Sequence, residues 1–504
     1  MDKYNVIVVG AGNAGMAAAA ACAKCGLKTL LLERHNIIGG SAQSFRRGRF
    51  EFEASLHELG GIGSKEAPGP VLQALSALGV DVDWRIDPHL FRVIVDGEDG
   101  YDVTMPAGLE HFCDKMEEMF PGCRQSVHNI FDLVDAANRA TAYLSSGKID
   151  PQVLATEHVD FMRLVSHSAK ECMDALGIPE KAQSILSTYW PYLGSLPDRE
   201  DAFHFFYMLW LYVVCYPQMP AKRSPELTYA FTKAIVDKGG EIWTNSEVKE
   251  LLITDGTVHG VKLADGREIE ADRVICNGFP NFVMQSLPKE MIPERSLKLA
   301  NAREFGLSFV TIYIGLNKSA EELGIKDYSV FWYPTTDYHI VLERSYDYGG
   351  KGWIIANCHN ILVPGATPEG TCEMFFTSAV HGDIWKNVKP EEYNKKKLEV
   401  AEDILRTYEE KLGIEIMPYI EEIEIATPVT FARYLHTPNG TPYGYQTKPW
   451  DSIMARTMNV KNEGMFKNLR FCGAHSERGD GYSANIGGGF LIGMQVAKGL
   501  KEDK

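Results

Sequence analysis

The sequence predicts an α/β protein: a Rossmann-like nucleotide-binding domain interleaved with a mixed α+β domain that carries a helical lobe. Three observations carry that expectation. A β-branched run, a glycine-rich turn, an Ala-rich helix, a second strand and a terminal acid follow one another at the start of the chain. Patterns suited to the same domain return over residues 226–290 and 441–504. The stretches between them, 81–225 and 291–440, contain no second G-x-G-x-x-G. Residues 1–80, 226–290 and 441–504 are therefore expected to form one discontinuous domain. The substrate domain is expected from 81–225 and 291–440.

Tyr4-Asn5-Val6-Ile7-Val8-Val9 has the composition of a parallel strand buried on both faces. In Gly10-Ala11-Gly12-Asn13-Ala14-Gly15, Gly10 permits a tight turn, Gly12 lets a pyrophosphate approach the backbone, and Gly15 lets helix and strand pack closely. The free N–H groups at the start of the following helix suit phosphate. That helix is expected to run to about Cys25 and to stop at Gly26. Glu33, closing the strand Lys28–Leu32, is placed to accept ribose hydroxyl protons. Cys22 and Cys25 lie late in the helix, away from the end that would activate a thiol, and read as packing residues.

Glu33 is followed after five residues by Gly39-Gly40 and then Ser41. The arrangement resembles the FAD-binding amine-oxidase superfamily, whose second motif is E-x5-G-G. Gly48–His57 is similar to that group's F-D-x-G-x-H stretch, with Glu53 in place of Asp and Ser55 in place of Gly. The resemblance implies FAD contacts from Gly10, Gly12, Asn13, Ala14, Gly15, Glu33, Arg34, Gly39, Gly40 and Ser41. Farther along, Leu227–Val236 reads as a helix, and turns at Asp255-Gly256 and Asp265-Gly266 punctuate a β-meander closed by Arg273–Gly278. By the same resemblance Val248 touches the adenine through its backbone, and Asn277 returns the chain to the dinucleotide.

Near the C-terminus, Leu469–Ala474 reads as a strand and Gly487–Leu500 as a helix. The loop between them is similar to the closing motif of phytoene desaturases, carotenoid isomerases and retinol-saturase-like proteins, with Gly473, Gly479, Gly481 and Gly489 in register. This implies further cofactor contacts from Gly473, Ala474, Gly481, Tyr482, Asn485 and Ile486. Ala474 stands where the family usually has an acid, and Arg478, Tyr482 and Asn485 stand where Pro, Val and Val are common. The polar loop suggests a substrate with an apolar body and a polar or anionic end, clamped by Arg478.

The expected function is FAD-dependent chemistry on C=C or C–C bonds of a lipophilic substrate such as a carotenoid, retinoid or fatty acid. Desaturation, saturation and cis–trans isomerisation all fit, with an electron donor or acceptor of unspecified kind. Tyr482, His57 and Glu477 are the candidates for moving a proton. Tyr189, Trp190, Tyr192, Phe206 and Trp210 are candidates for the substrate wall, with ordinary core packing the alternative for each. Two other readings stand beside this one, an amine or amino-acid oxidase and a non-catalytic lipid-escort protein of the Rab GDP-dissociation-inhibitor type. No metal-ligand spacing is present.

Composition bounds the rest. Lys plus Arg is 51 and Asp plus Glu is 67, a net charge of −16 that gives no overall attraction to nucleic acid. The 10 cysteines form no disulfide framework, and the start of the chain has no signal-peptide pattern, so a cytoplasmic protein is expected. The apolar run Phe203–Tyr216 is short for a membrane span, which needs about 20 residues. It is expected as a buried helix, with peripheral membrane contact left open.

Overall fold

The computed structural model describes residues 3–145, 150–452, 455–456, 465–474 and 481–502. In it the opening run forms strand Tyr4–Val9, flanked by Thr29–Leu32 on one side and Glu268–Cys276 on the other, both parallel. Parallel neighbours and helices cover it on all sides, which is why its β-branched side chains tolerate no alternation with polar ones. Glu241–Trp243 extends the array beyond Thr29–Leu32, and Leu469–Phe471 extends it beyond Glu268–Cys276. Three distant parts of the chain thus share one sheet. The expected meander follows, with Asp255 and Gly256 both at positive φ (48° and 70°), as a tight two-residue hairpin turn requires.

A second sheet runs in the order Ile420–Ala426, Ser308–Leu316, Cys372–Val380, Ile354–Cys358, Ser329–Tyr333, His89–Val95 and Tyr101–Pro106. Its last two strands come from 81–225, the same stretch that supplies the helical lobe. The run Leu90-Phe91-Arg92-Val93-Ile94-Val95 is almost continuously apolar, and it pairs in parallel with Ser329–Tyr333. Local sequence reads such a run ambiguously, and a distant partner decides it.

Alternate side chains of Ser308–Leu316 take opposite faces. Val310, Ile312, Ile314 and Leu316 share a core with Val400, Ala401, Ile404 and Leu405 of the long helix Pro390–Leu412. Phe309, Thr311 and Tyr313 face the opposite way and line a large cavity. The long helix is amphipathic: Val400, Ile404 and Leu405 are buried, whereas Leu398 is exposed.

The Ala-rich helix Asn13–Lys24 is buried along nearly its whole length. One neighbour is Arg223–Val236, and another is the terminal helix Tyr482–Glu502. The terminal helix begins at Tyr482 rather than Gly487, because Asn485 donates from its backbone to the Gly481 carbonyl (3.0 Å) and starts the first turn early. Three consecutive glycines therefore lie inside a helix, where each costs stability relative to alanine. Packing explains at least one of them: a Cβ on Gly489 would sit 2.1 Å from the Ala14 carbonyl oxygen. At Gly493 it would sit 2.6 Å from that of Ala18. Cys22 is buried in this contact, its thiol pushed far up by burial, and its sulfur approaches the Gly493 carbonyl at 3.6 Å.

The apolar run becomes the helix Ala202–Val213, capped by Asp201, whose carboxylate accepts from the His204 N–H at 2.9 Å. No helix among the described residues is long and apolar enough to cross a membrane. Gly489→Ala forces the two end helices apart, with an expected loss of about 1–3 kcal/mol in unfolding free energy. Urea denaturation of the variant against the parent measures it.

Candidate active site

The cavity lies between the two sheets and has a volume of about 2150 Å³. That is more than twice the upper end of the range of about 300–1,000 Å³ typical of small-molecule sites. Two chemically different walls enclose it.

The first wall is the glycine-rich turn. Gly10 has φ +94°, a backbone conformation that a side chain would strain. A Cβ on Gly15 would fall 1.9 Å from the Gly10 carbonyl oxygen, so close helix–strand packing excludes any larger residue there. Gly39 donates its N–H to the Ala11 carbonyl (2.8 Å), and a Cβ on Gly40 would lie 2.9 Å from the Gly12 Cα. The two glycine motifs therefore pack directly on one another. Asn277 ties in from the neighbouring strand, its backbone N–H on Val9 O (2.8 Å) and its side chain on Gly10 O (3.3 Å). The Glu33 carboxylate accepts the Ala11 N–H and the His35 N–H, both at 2.8 Å, which fixes its orientation at the strand end. Arg34 donates to the Arg433 and Tyr434 carbonyls, at the C-terminal end of the helix Pro428–Leu435.

Of the residues expected at a cofactor, Gly10, Gly12, Asn13, Ala14, Glu33, Arg34, Gly40, Ser41, Val248, Asn277, Ala474, Gly481, Tyr482 and Asn485 line the cavity. Gly15, Gly39, Gly473 and Ile486 do not; Ile486 is core, and Gly15 and Gly39 shape the backbone behind the wall. The walls fit a dinucleotide. The cradle stays open where Gly10, Gly12 and Gly40 lack side chains, and the buried Asn13 Oδ1 has no hydrogen-bond partner among the described residues.

The cradle leads to Ser55, His57 and Tyr482. The Tyr482 hydroxyl is 2.6 Å from Ser55 Oγ, which itself donates to the Ser41 carbonyl at 3.1 Å. Desolvation pushes the Tyr482 phenol up to about 12, so it serves as a neutral hydrogen-bonding group near neutral pH. The Ser55 substitution in the family's stretch thus supplies a hydroxyl partner for this tyrosine. The His57 ring packs 3.8 Å from that of Phe375, and burial, reinforced by His359, holds it well below its usual range and neutral. Glu477 and Arg478 lie outside the described residues.

A buried polar cluster stands behind His57. His359 Nδ1 is 3.1 Å from Glu373 Oε1, and the same oxygen accepts from Arg223 at 3.2 Å. Glu53, the residue replacing the family's Asp, accepts from both the backbone and the hydroxyl of Ser224. Burial pushes Glu53 and Glu373 up to about 8, and burial together with the Arg223 charge pushes His359 down to about 3.

The second wall is apolar and aromatic. The helix Ala202–Val213 contributes Phe203, His204, Tyr207, Met208, Leu211 and Tyr212, one face at helical spacing. Of the expected wall residues only Tyr192 is there. Tyr189, Trp190 and Phe206 are buried in the helical-lobe core, and Trp210 packs against it, stacked on Tyr207. The sequence could not choose the face, because this helix is apolar nearly all round and its periodicity names no inner side. Two further features escaped it. Glu58, beside His57, lines the cavity and accepts from the Tyr192 hydroxyl at 2.6 Å. Glu200, Asp201 and His204 bring their ligand atoms within 4.8 Å of one another, with His204 Nδ1 2.6 Å from Glu200.

A family model described as an NAD(P)-binding Rossmann-like domain matches residues 8–72. The chain is 26% identical over 468 residues to prolycopene isomerase 2, chloroplastic, of an Oncidium hybrid cultivar, covering 88% of this chain and 75% of that one. It is 23% identical over 475 residues to the all-trans-retinol 13,14-reductase of Danio rerio, covering 88% and 78%. The chain is a relative of these enzymes. A putrescine oxidase bound to putrescine shares the fold, with a TM-score of 0.62 at 13% identity over 99% of each chain. The resemblance to the carotenoid and retinoid enzymes on an amine-oxidase fold is thereby borne out.

His359 supplies a pH test of the buried cluster. Its folded value of about 3 lies below its ordinary 6.5, so the unfolded chain binds the extra proton and acid favours unfolding. As pH falls from 6.5 to about 4.5, His359→Gln should gain about 1.4 kcal/mol per pH unit relative to the parent. Parallel urea titrations across that range check the slope.

Proposed function

We propose that the protein is an FAD-dependent oxidoreductase acting on C=C or C–C bonds of a lipophilic substrate, by desaturation, saturation or cis–trans isomerisation. One observation carries the reading: the dinucleotide cradle and the aromatic wall are parts of a single cavity. A long apolar substrate entering that cavity lies against Tyr207, Met208, Leu211, Tyr212 and Phe309 and reaches the cradle without crossing water. The names of the relatives support the substrate class, a carotenoid-like or retinoid-like chain.

In this reading residues 1–80, 226–290 and 441–504 hold the cofactor, and 81–225 and 291–440 hold the substrate. Gly10, Gly12 and Gly40 give the pyrophosphate access to backbone N–H groups, and Glu33 takes the ribose hydroxyls. The Ser246–Val248 backbone borders the adenine. Ser55 and Tyr482 would hold the ring end of the cofactor, and the first turn of the terminal helix would offer it a positive dipole end. Flavin supplies two-electron hydrogen transfer. The protein's part is to exclude water, hold the chain of the substrate and keep His57 neutral.

Purified protein should be yellow, and the released cofactor should be FAD. Gly12→Val should give colourless protein with an unchanged circular dichroism spectrum, since the added side chain fills the pyrophosphate path. Anaerobically, long-chain polyenes should reduce or reoxidise the bound flavin, followed by visible absorption. Reduction by primary amines with no response to any polyene would falsify the reading.

A further inference from the structure

The segment Ser55–Gly60 is pinned to the start of the terminal helix at both ends. Ser55 meets the Tyr482 hydroxyl (2.6 Å), and Ser483 donates its hydroxyl to the Gly60 carbonyl (2.7 Å). Glu58 lies between these two ties, on the cavity wall, with 4% of its surface exposed. Its Oε1 accepts from the Tyr192 hydroxyl at 2.6 Å, and its Oε2 is buried with no hydrogen-bond partner among the described residues. A carboxyl without a cation beside it, half satisfied in an apolar cavity, is costly to keep unless the open oxygen has a task.

We propose that Glu58 is the catalytic acid and base of the cavity, exchanging a proton directly with a carbon of the lipophilic substrate. The assignment rests on the redox function proposed above. In saturation, the Glu58 O–H bond breaks and a C–H bond forms at one alkene carbon. Two electrons and the second hydrogen reach the other carbon from a reduced flavin, leaving Glu58 as a carboxylate. Desaturation runs the same bonds backwards: the carboxylate takes the proton, and an oxidised flavin takes the two electrons with the other hydrogen. Tyr192 is the positioning residue that orients the carboxyl.

The surroundings keep this acid protonated near neutrality. Burial pushes it up to about 8, and Asp87 adds to the rise, while the hydrogen bond from Tyr192 opposes it. Tyr212 and Tyr328, the other titratable groups that feel its charge, are themselves held neutral by burial. His57, the adjacent cavity residue, brings no positive charge.

The test combines infrared spectroscopy with single-turnover kinetics on the flavin-loaded protein. The parent-minus-Glu58→Gln difference spectrum, in which the bands of buried Glu53 and Glu373 cancel, should hold a protonated-carboxyl C=O band at pH 7 that is lost as pH rises through about 8. Glu58→Gln should bind FAD as the parent does and slow flavin reoxidation by a polyene at least about a hundredfold. Tyr192→Phe removes a bond that favours the charged form, so it should move both the band and the rate edge to higher pH. Glu58→Gln turning over at the parent rate, or a difference spectrum without the carboxyl band, overturns the assignment alone. A parent protein that exchanges electrons with no polyene overturns the function on which it rests, and this assignment with it.

Discussion

The helix that opens the chain and the helix that closes it meet so closely that neither Gly489 nor Gly493 has room for a methyl group against the backbone of Ala14 and Ala18. Much else follows from that contact. It places the first turn of the terminal helix, with Tyr482 and Ser483, against the segment Ser55–Gly60, and it holds Asn485 and Gly481 at the rim of the cradle. Small residues on both helices are the only solution, since dispersion and burial reward the approach only when backbones touch. The alanines and the glycines are two halves of one interface.

The cavity that results is unusual in how its polar groups are disposed. Its substrate-facing wall is mainly aromatic and aliphatic, with Glu58 and His57 set into it and Glu53, Glu373 and His359 buried. Glu53, Glu58 and Glu373 are pushed towards the neutral acid, and His57 and His359 towards the neutral base. Burial is the largest cause in every case. A low-dielectric chamber of this kind suits chemistry on hydrocarbon, because it presents few fixed charges to an apolar chain while keeping proton donors within it.

Legibility followed the range of the interactions. The nucleotide half was readable because each glycine answers a local backbone demand: Gly10 needs positive φ, and Gly15 needs the space of a missing Cβ. The alternating strand Ser308–Leu316 was readable because one of its faces meets a core and the other a cavity. The hairpin His89–Pro106 was not, since its apolar run takes its meaning from Ser329–Tyr333. The helix Ala202–Val213 was recognised as a helix, but its inner face was hidden by apolar residues all round. Glu58 was passed over because a lone glutamate after a histidine has no signature until burial and the Tyr192 hydroxyl surround it.

By itself, the sequence determined the dinucleotide fold, the interleaving of two kinds of structure along the chain, and the glycines that leave room for a cofactor. Those properties reside in φ angles, side-chain volumes and periodicities, which neighbouring residues settle among themselves. Tertiary structure alone decided which aromatic side chains meet the substrate space, where the terminal helix begins its service to the cradle, and which carboxyl meets the Tyr192 hydroxyl on the cavity wall. These depend on what lies opposite each side chain, and the opposing group comes from another part of the chain.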